Sequence, residues 1–355
     1  MPPHLPTMPA LSDDMVQEIL LRVPPDEPAS LVRASLVRSN WRNLLVQPHF
    51  ATRYSIRHGT PPLLGFFLSN QRGVSFVPAT SFRPAATTFD LKCRLTLHCR
   101  HGRVLLCETV FNKPELIIWD PITSEHLRLP RMPVTPTGWL HATLLCGAVC
   151  QRRGCYDNPF RVAIMWTDYT SASACIYSSA TGAWGDVTEQ EFENNNRVSV
   201  IAQFPAALVG DALYYTSNGA VILQYDTTGS EISSLRVPQE YDNWTLMALE
   251  DGSLGFGGFD EVRFELRIWR YAEANGQWAW TKTIDIDLHL PMGHHIDQAS
   301  MRAFSDDANV VFVNTVAGLF SVDVNSSKTK KVIHRDGVPA MGAIHPYFAF
   351  YTPRQ

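Results

Sequence analysis

Lysine is scarce in this chain: it occurs only at positions 92, 113, 282, 328, 330 and 331 of 355. Even with arginine counted, the 30 basic residues do not outnumber the 34 acidic ones, and the formal net charge is −4. With no Lys/Arg cluster, there is no electrostatic case for nucleic acid or an anionic membrane surface as partner. No stretch approaches the roughly 18 apolar residues needed to span a bilayer. The opening "MPPHLPTMPA" holds prolines and no basic cluster, unlike a signal peptide. The seven cysteines are odd in number, scattered, and form no Cys-x-x-Cys pair. That argues against a disulfide framework and for reduced thiols, with cytoplasm and/or nucleus as the expected location.

Catalytic and ligand signatures are equally thin. There is no Gly-x-Ser-x-Gly elbow and no His-Glu-x-x-His. His294-His295-x-Asp297 has metal-ligand residue types but reads better as a polar loop. Cys146, Cys150 and Cys155 lie close together, and Cys146 and Cys150 fall in an apolar stretch, as buried thiols do. "GFGGFD" (255–260) has glycines but no helix after them to receive a phosphate. No cofactor, no metal and no catalytic residue are therefore expected.

What is present divides into two parts. Apolar residues make up 45% of the chain and charged residues 18%, enough for a large core. Residues 1–8 read as disordered. From residue 11 the sequence "LSDDMVQEILLRVPPDEPASLVRASLVRSNWRNLL" has helical periodicity. Ser12 is an N-cap, with Asp13 and Asp14 in the first turn, where carboxylates favour the helix dipole. Met15, Ile19, Leu20 and Val23 share one stripe, and Pro24-Pro25 stops the helix. Pro28 opens a second helix, Ser39 or Asn40 a third, and Pro48 a last helical turn. Three short helices bury too little apolar surface to be comfortable alone.

Beyond residue 60 the chain reads as strands in a repeat. The third strand of each unit and its turn run "ELIIWDPITS" (115–124), "ACIYSSATG" (174–182), "VILQYDTTG" (221–229), "LRIWRYAEANG" (266–276) and "LFSVDVNSS" (319–327). Hairpins turn at His101-Gly102, Gly210-Asp211, Asp251-Gly252 and Asp306-Asp307. Four strands repeating over this length mark propeller blades. Five units are complete: 94–130, 141–188, 204–238, 245–286 and 299–334. "PLLGFFLSNQRGVSFVP" (62–78) reads as the last two strands of a blade. "AIHPYFAFYTP" (343–353) reads as a first or second strand. Joined, they close a sixth blade and hide edge strands. The expected fold is mainly β with a small α domain, a six-bladed β-propeller over 62–353, with seven blades as the nearest alternative.

The front segment, over residues 9–57, resembles an F-box of the type common in grass F-box proteins. The family pattern is Leu-Pro-x-Asp, Ile-Leu-x-Arg-Leu-Pro, then Leu-x-x-x-x-x-Val-x-x-x-Trp-Arg. Leu11, Asp13, Asp14, Ile19, Leu20, Arg22, Val23, Pro24, Leu31, Val37, Trp41, Arg42 and Leu44 supply it, and Ser12 departs from the usual Pro. "IIWDPITSEHLRLP" resembles the Trp-Asn-Pro turn of plant F-box-associated β-propellers, with Asp120 in place of Asn. The resemblance implies the substrate-recognition subunit of an SCF-type (Skp–cullin–F-box) ubiquitin ligase, a non-catalytic receptor whose partners are a Skp-type adaptor, through it a cullin-RING ligase, and an unknown protein substrate. It implies adaptor contacts at Leu11, Ile19, Leu20, Val23, Pro24, Leu31, Val37 and Trp41, with Trp41 either at the contact or packed inside the unit. Recognition residues on rigid scaffolds sit on loops, so Trp139, Phe192, Arg197, Tyr241, Trp244 and His295 on the inter-blade rim are the substrate-binding candidates. Arg152, Arg153 and Tyr156 on the opposite rim are a rival set. The competing reading is a carbohydrate-binding or hydrolytic propeller with a helical cap.

Overall fold

A computed structural model of the chain describes residues 11–350 apart from 71–72, 85–93, 111–112, 137, 148–158, 169, 193–198, 202–203, 219–220, 239–243, 261–264, 275–276, 288–299, 306–307, 316 and 335–342. The expectation of disorder over 1–8 lies outside the described residues.

Four helices come first. α1 (Asp13–Leu20) starts at Ser12, whose hydroxyl accepts the Met15 N–H at 3.4 Å. α2 (Pro28–Val37) has its proline in the first turn, where no amide is needed. α3 (Ser39–Leu45) follows after one residue. α4 (Pro48–His58) spans 11 residues, not the single turn expected at Pro48. Burial explains its length. Phe50 and Tyr54, one turn apart, pack with Val16, Leu20, Leu21, Leu31, Leu44 and Leu45. The opposite side is polar, and Arg53 reaches back to Gln17 at 3.0 Å and pairs with Glu18. Gly59 ends the helix at φ 75°, a left-handed conformation that suits glycine.

Six antiparallel sheets follow. The first complete blade is β3 (Arg94–Arg100), β4 (Arg103–Val110), β5 (Lys113–Trp119) and β6 (His126–Arg128). The next is β7 (Trp139–Cys146), β8 (Phe160–Thr167) and β9 (Ser171–Ser178), with β10 (Ala183–Trp184) and β11 (Thr188–Glu191) both pairing with β9. Then come β12 (Ala207–Val209), β13 (Ala212–Thr216), β14 (Val221–Asp226) and β15 (Glu231–Arg236). After them stand β16 (Trp244–Ala248), β17 (Leu254–Asp260), β18 (Glu265–Ala274) and β19 (Gln277–Asp287). The last complete blade is β20 (Ser300–Ser305), β21 (Val310–Thr315), β22 (Gly318–Asp323) and β23 (Thr329–His334). The sixth joins both ends of the chain: β1 (Leu63–Asn70) lies between β2 (Gly73–Pro78) and β24 (Ala343–Phe348). The fold is a six-bladed propeller.

The closing blade differs from expectation in one respect. β24 occupies the innermost place, beside β3 and β20, so β1 and β2 are the second and third strands and not the last two. Among the described residues this blade has no fourth strand. The segment that follows β2 instead turns into the core between this blade and the first complete one. Phe82 is buried there, edge-on to Phe76 at 5.6 Å and stacked on Tyr347 at 6.0 Å. The unit expected to end at 188 runs on through β11, because Thr188–Glu191 pairs with Ser171–Ala174.

The turns repeat one chemistry. The carboxylates of Asp120, Asp226 and Asp323, each at or just after the end of a third strand, accept backbone N–H groups two or three residues ahead at 2.7–3.2 Å. His101-Gly102 turns the β3–β4 hairpin with φ of 48° and 71°, as a tight two-residue hairpin requires.

Among the described residues, six buried apolar clusters lie between successive blades, one for each neighbouring pair. A seventh fills the helical unit and includes Phe350 and, at its edge, Ile122 from the β5–β6 turn. The helices therefore share their core with the propeller. Phe67 sits where closure is made, 5.5 Å from both Trp119 and Tyr347 and 4.8 Å from Phe76 between ring centroids. Phe67→Ala is expected to cost about 3–5 kcal/mol, read as a lower midpoint in denaturant unfolding. A loss below about 1 kcal/mol would show that closure does not depend on this contact.

Candidate functional site

Three regions bear on function: an uncovered face of the helices, the rim of the disc and its axis.

α1 is apolar on two sides. Val16 and Leu20 face the helical core, while Leu11, Met15 and Ile19, spaced four apart, are each about half exposed on another face. Leu36 and Val37 at the end of α2 are exposed as well, Leu36 by 80%. Asn40 Nδ2 donates to Asp13 Oδ1 at 2.6 Å, which brings the start of α3, and so the end of α2, beside the start of α1. The outcome is a group of exposed aliphatic side chains on a unit whose own core is already filled, the kind of surface that marks an interaction site.

The sequence-derived adaptor residues divide accordingly. Leu11, Ile19, Pro24 and Val37 are exposed, and Val23 and Trp41 are half-buried against the helical core. Leu20 and Leu31 are 2% and 1% exposed. These two belong to the interior of the unit and are corrected to core residues: periodicity places them on a stripe but does not say which stripe meets α3 and α4. Met15 and Leu36 were missed as surface candidates. The signal was the adjacent apolar pair Leu36-Val37, which cannot wholly face one core.

Strand alternation puts the inter-blade connections and the second-to-third-strand loops on one rim. The helical unit enters β1 at Leu63, paired with Phe348, and touches Ile122, so it sits at the opposite rim. Of the rim candidates, Trp139 is half exposed at the start of β7 and Phe192 is half-buried, its N–H donating to the Thr170 carbonyl at 2.8 Å. Trp244 is 7% exposed and stacks on Phe256 at 5.2 Å, so it is corrected to core. It opens β16 rather than closing a loop. Arg197, Tyr241 and His295 lie outside the described residues, as do Arg152, Arg153, Tyr156, Cys150 and the His294–Asp297 segment. Cys146 is buried.

The axis is lined by β3, β7, β12, β16, β20 and β24 and carries histidines that belong to no sequence motif. His98, His141 and His345 are buried on three of these strands. His98 Nδ1 accepts the Leu144 N–H at 3.1 Å, and His141 Nε2 donates to the Phe204 carbonyl at 2.7 Å. Burial lowers the pKa of all three: His141 and His345 fall to about 4, and His98, also near Arg100, falls well below its usual range. Among the described residues no group of His, Cys, Asp and Glu is arranged to hold a metal ion. The one sequence sign was a histidine in the first strand of several units.

The fold is a propeller scaffold with an appended helical unit that leaves aliphatic side chains exposed. The family model described as "F-box protein AT5G49610-like, beta-propeller" matches residues 96–354, more than half the chain. The chain belongs to that family. No curated protein matches it. Among solved structures, it is similar to "YCF48 bound to D1 peptide" at 10% identity and TM-score 0.42, over 79% of this chain and 85% of that one. It is also similar to a chain of "Crystal structure of Nidogen/Laminin Complex" at 11% identity and TM-score 0.42, over 79% and 97%. Nothing about ligands or partners is carried over at these scores.

The buried histidines make stability pH-dependent. The unfolded chain protonates His141 and His345 near pH 6.5, the folded chain only near 4, so their contribution is complete above 6.5 and is lost as pH falls toward 4. His141 and His345 are each expected to remove on the order of 3 kcal/mol over that window, measured by denaturant unfolding at pH 7.5, 6 and 5. His141→Gln should flatten the curve; a wild-type curve flat from 7.5 to 5 would contradict the assignment.

Proposed function

We propose that this chain is the substrate-recognition subunit of an SCF-type ubiquitin ligase. The helices, residues 11–58, act as the F-box that docks a Skp-type adaptor, and the propeller holds the target protein. The observation that carries this reading is the exposed set Leu11, Met15, Ile19, Leu36 and Val37 on helices whose core is already filled. An adaptor groove would cover it in the helix-face manner, with aliphatic anchors. Membership of an F-box propeller family supports the same reading. The subunit breaks no bond itself; holding a target near a ubiquitin-charged enzyme supplies the rate advantage of proximity.

Placement of the two surfaces on opposite rims suits this division of labour. The adaptor would occupy the helical side, leaving the inter-blade rim, with Trp139 half exposed and Phe192 at its base, free for a target. The carbohydrate-binding or hydrolytic alternative is favoured by no specific observation.

Binding of the intact chain to a purified Skp-type adaptor tests the proposal. Ile19→Glu and Leu36→Glu change exposed side chains, so the unfolding midpoint should hold while adaptor affinity falls about 30-fold, the effect of losing roughly 2 kcal/mol at an interface anchor. Absence of binding by the unaltered chain, or unchanged affinity in both variants, would reject the proposal.

A further inference from the structure

The closing blade is one strand short among the described residues, and its third strand shows the effect. In complete blades a fourth strand shields the third: Ile117 of β5, Leu223 of β14 and Leu319 of β22 are all 0% exposed. On β2, Val74, Phe76 and Val77 are only half-buried and Ser75 is exposed. The register identifies the backbone groups left over. Ala79 N–H donates to the Leu64 carbonyl at 3.0 Å, in step with Gly65↔Pro78 and Phe66↔Val77. Hydrogen-bonded pairs alternate along an antiparallel ladder. Gly73, Ser75 and Val77 therefore turn their backbone groups toward β1, and Val74, Phe76 and Pro78 turn theirs outward. The open edge offers the N–H and C=O of Val74 and Phe76 and the C=O of Pro78. Such an edge is a template for one more strand.

The charge beside this edge has one sign. Lys330 on β23, the outer strand of the last complete blade, is exposed. It pairs with Ser321, two residues from Leu319, on the face turned toward the closing blade, where Ile333 and Val77 share a core. Arg83, just past β2, is exposed and bonds only to the carbonyls of Thr80 and Phe82, at 3.2 and 2.7 Å. Glu108 and Glu115, on the facing side of the first complete blade, are already paired with Arg94 and Arg128. We propose that the outer edge of β2 docks an extended acidic segment of another protein, which adds as the fourth strand of the closing blade in the manner of β-augmentation. Val74 and Phe76 look toward one neighbouring blade and Lys330 stands on the other side, so the fitting strand alternates apolar and acidic residues. A second copy is disfavoured, because pairing two β2 edges would bring these cations together. Residues 1–10 carry prolines at 2, 3, 6 and 9, and residues 351–355 carry Pro353 and Arg354, so neither segment suits the place. The site is independent of the ligase reading, since neither the exposed helical face nor the inter-blade rim takes part in it.

The test uses the intact chain and two labelled peptides, Val-Glu-Val-Glu-Val-Glu and Val-Lys-Val-Lys-Val-Lys, with binding read by fluorescence anisotropy and amide hydrogen exchange. In the free chain the amides of Val74 and Phe76 should exchange fast and those of Ser75 and Val77 slowly. The glutamate peptide should bind and slow Val74 and Phe76, and the lysine peptide should bind at least about tenfold more weakly. Val74→Pro removes one outward donor, and Lys330→Glu reverses one flanking charge. Each should weaken the glutamate peptide about tenfold, and Lys330→Glu should also narrow the gap between the two peptides. If Val74→Pro does not fold, Lys330→Glu decides. Slow exchange at Val74 and Phe76 without peptide would mean that the chain itself, or a second copy if the protection grows with protein concentration, already fills the edge, and would overturn the proposal. So would no binding of the glutamate peptide at millimolar concentration, or equal affinity for both peptides.

Discussion

Pairing of β24 with β1 is the interaction on which the rest depends. Residues 343–348 hydrogen-bond along residues 63–69, just after the last helix, from Leu63↔Phe348 to Ser69↔Ala343. Without that ladder the first and last blades would each present an open edge, and two of the six inter-blade cores would lose a wall. Pro346 lies in the pairing strand without harm, because β24 is innermost and its other edge faces the axis, where no ladder amide is required.

The same closure positions the helices. Phe350, two residues past β24, stands edge-on to Tyr54 at 5.8 Å, and the Tyr54 hydroxyl donates to the Val23 carbonyl at 2.8 Å. The segment that seals the disc thus also anchors the helical unit on one rim. The exposed aliphatic side chains are held on a rigid base, and the surface proposed for a target lies across the thickness of the disc from them. Under the proposed function, a rigid spacing between the two surfaces is what a receptor that works by proximity requires.

Much of this was legible in the chain before any coordinates. Blade number followed from turn chemistry that recurs at a fixed place: Asp120, Asp226 and Asp323 after the third strand, and Gly102, Gly210 and Gly252 in the first hairpin. These are local signals, since an Asx turn or a positive φ is satisfied within four residues. Ser12 and Pro28 announced helix starts for the same reason. Less legible were the fates of apolar residues with two possible neighbours. Leu20 and Ile19 are adjacent and equally apolar, yet one is core and the other surface, because α4 extends far enough to cover only one side. Trp244 has the residue type of a loop anchor, yet it opens β16 and is buried. The axial histidines gave no motif, because the strands that bring them together are far apart in sequence.

By itself, then, the sequence determined the kinds of element, their order and their repeat, and with them a closed disc of six blades behind a small helical unit. These rest on periodicity and on turn residues, which act over a few positions. Only the tertiary structure decided which end strand lies innermost, which face of α1 stays uncovered and which polar groups meet at the axis. Those outcomes depend on contacts between residues tens to hundreds of positions apart, such as Tyr347 with Gly102 and Phe350 with Tyr54, and a pattern read along the chain holds no record of them.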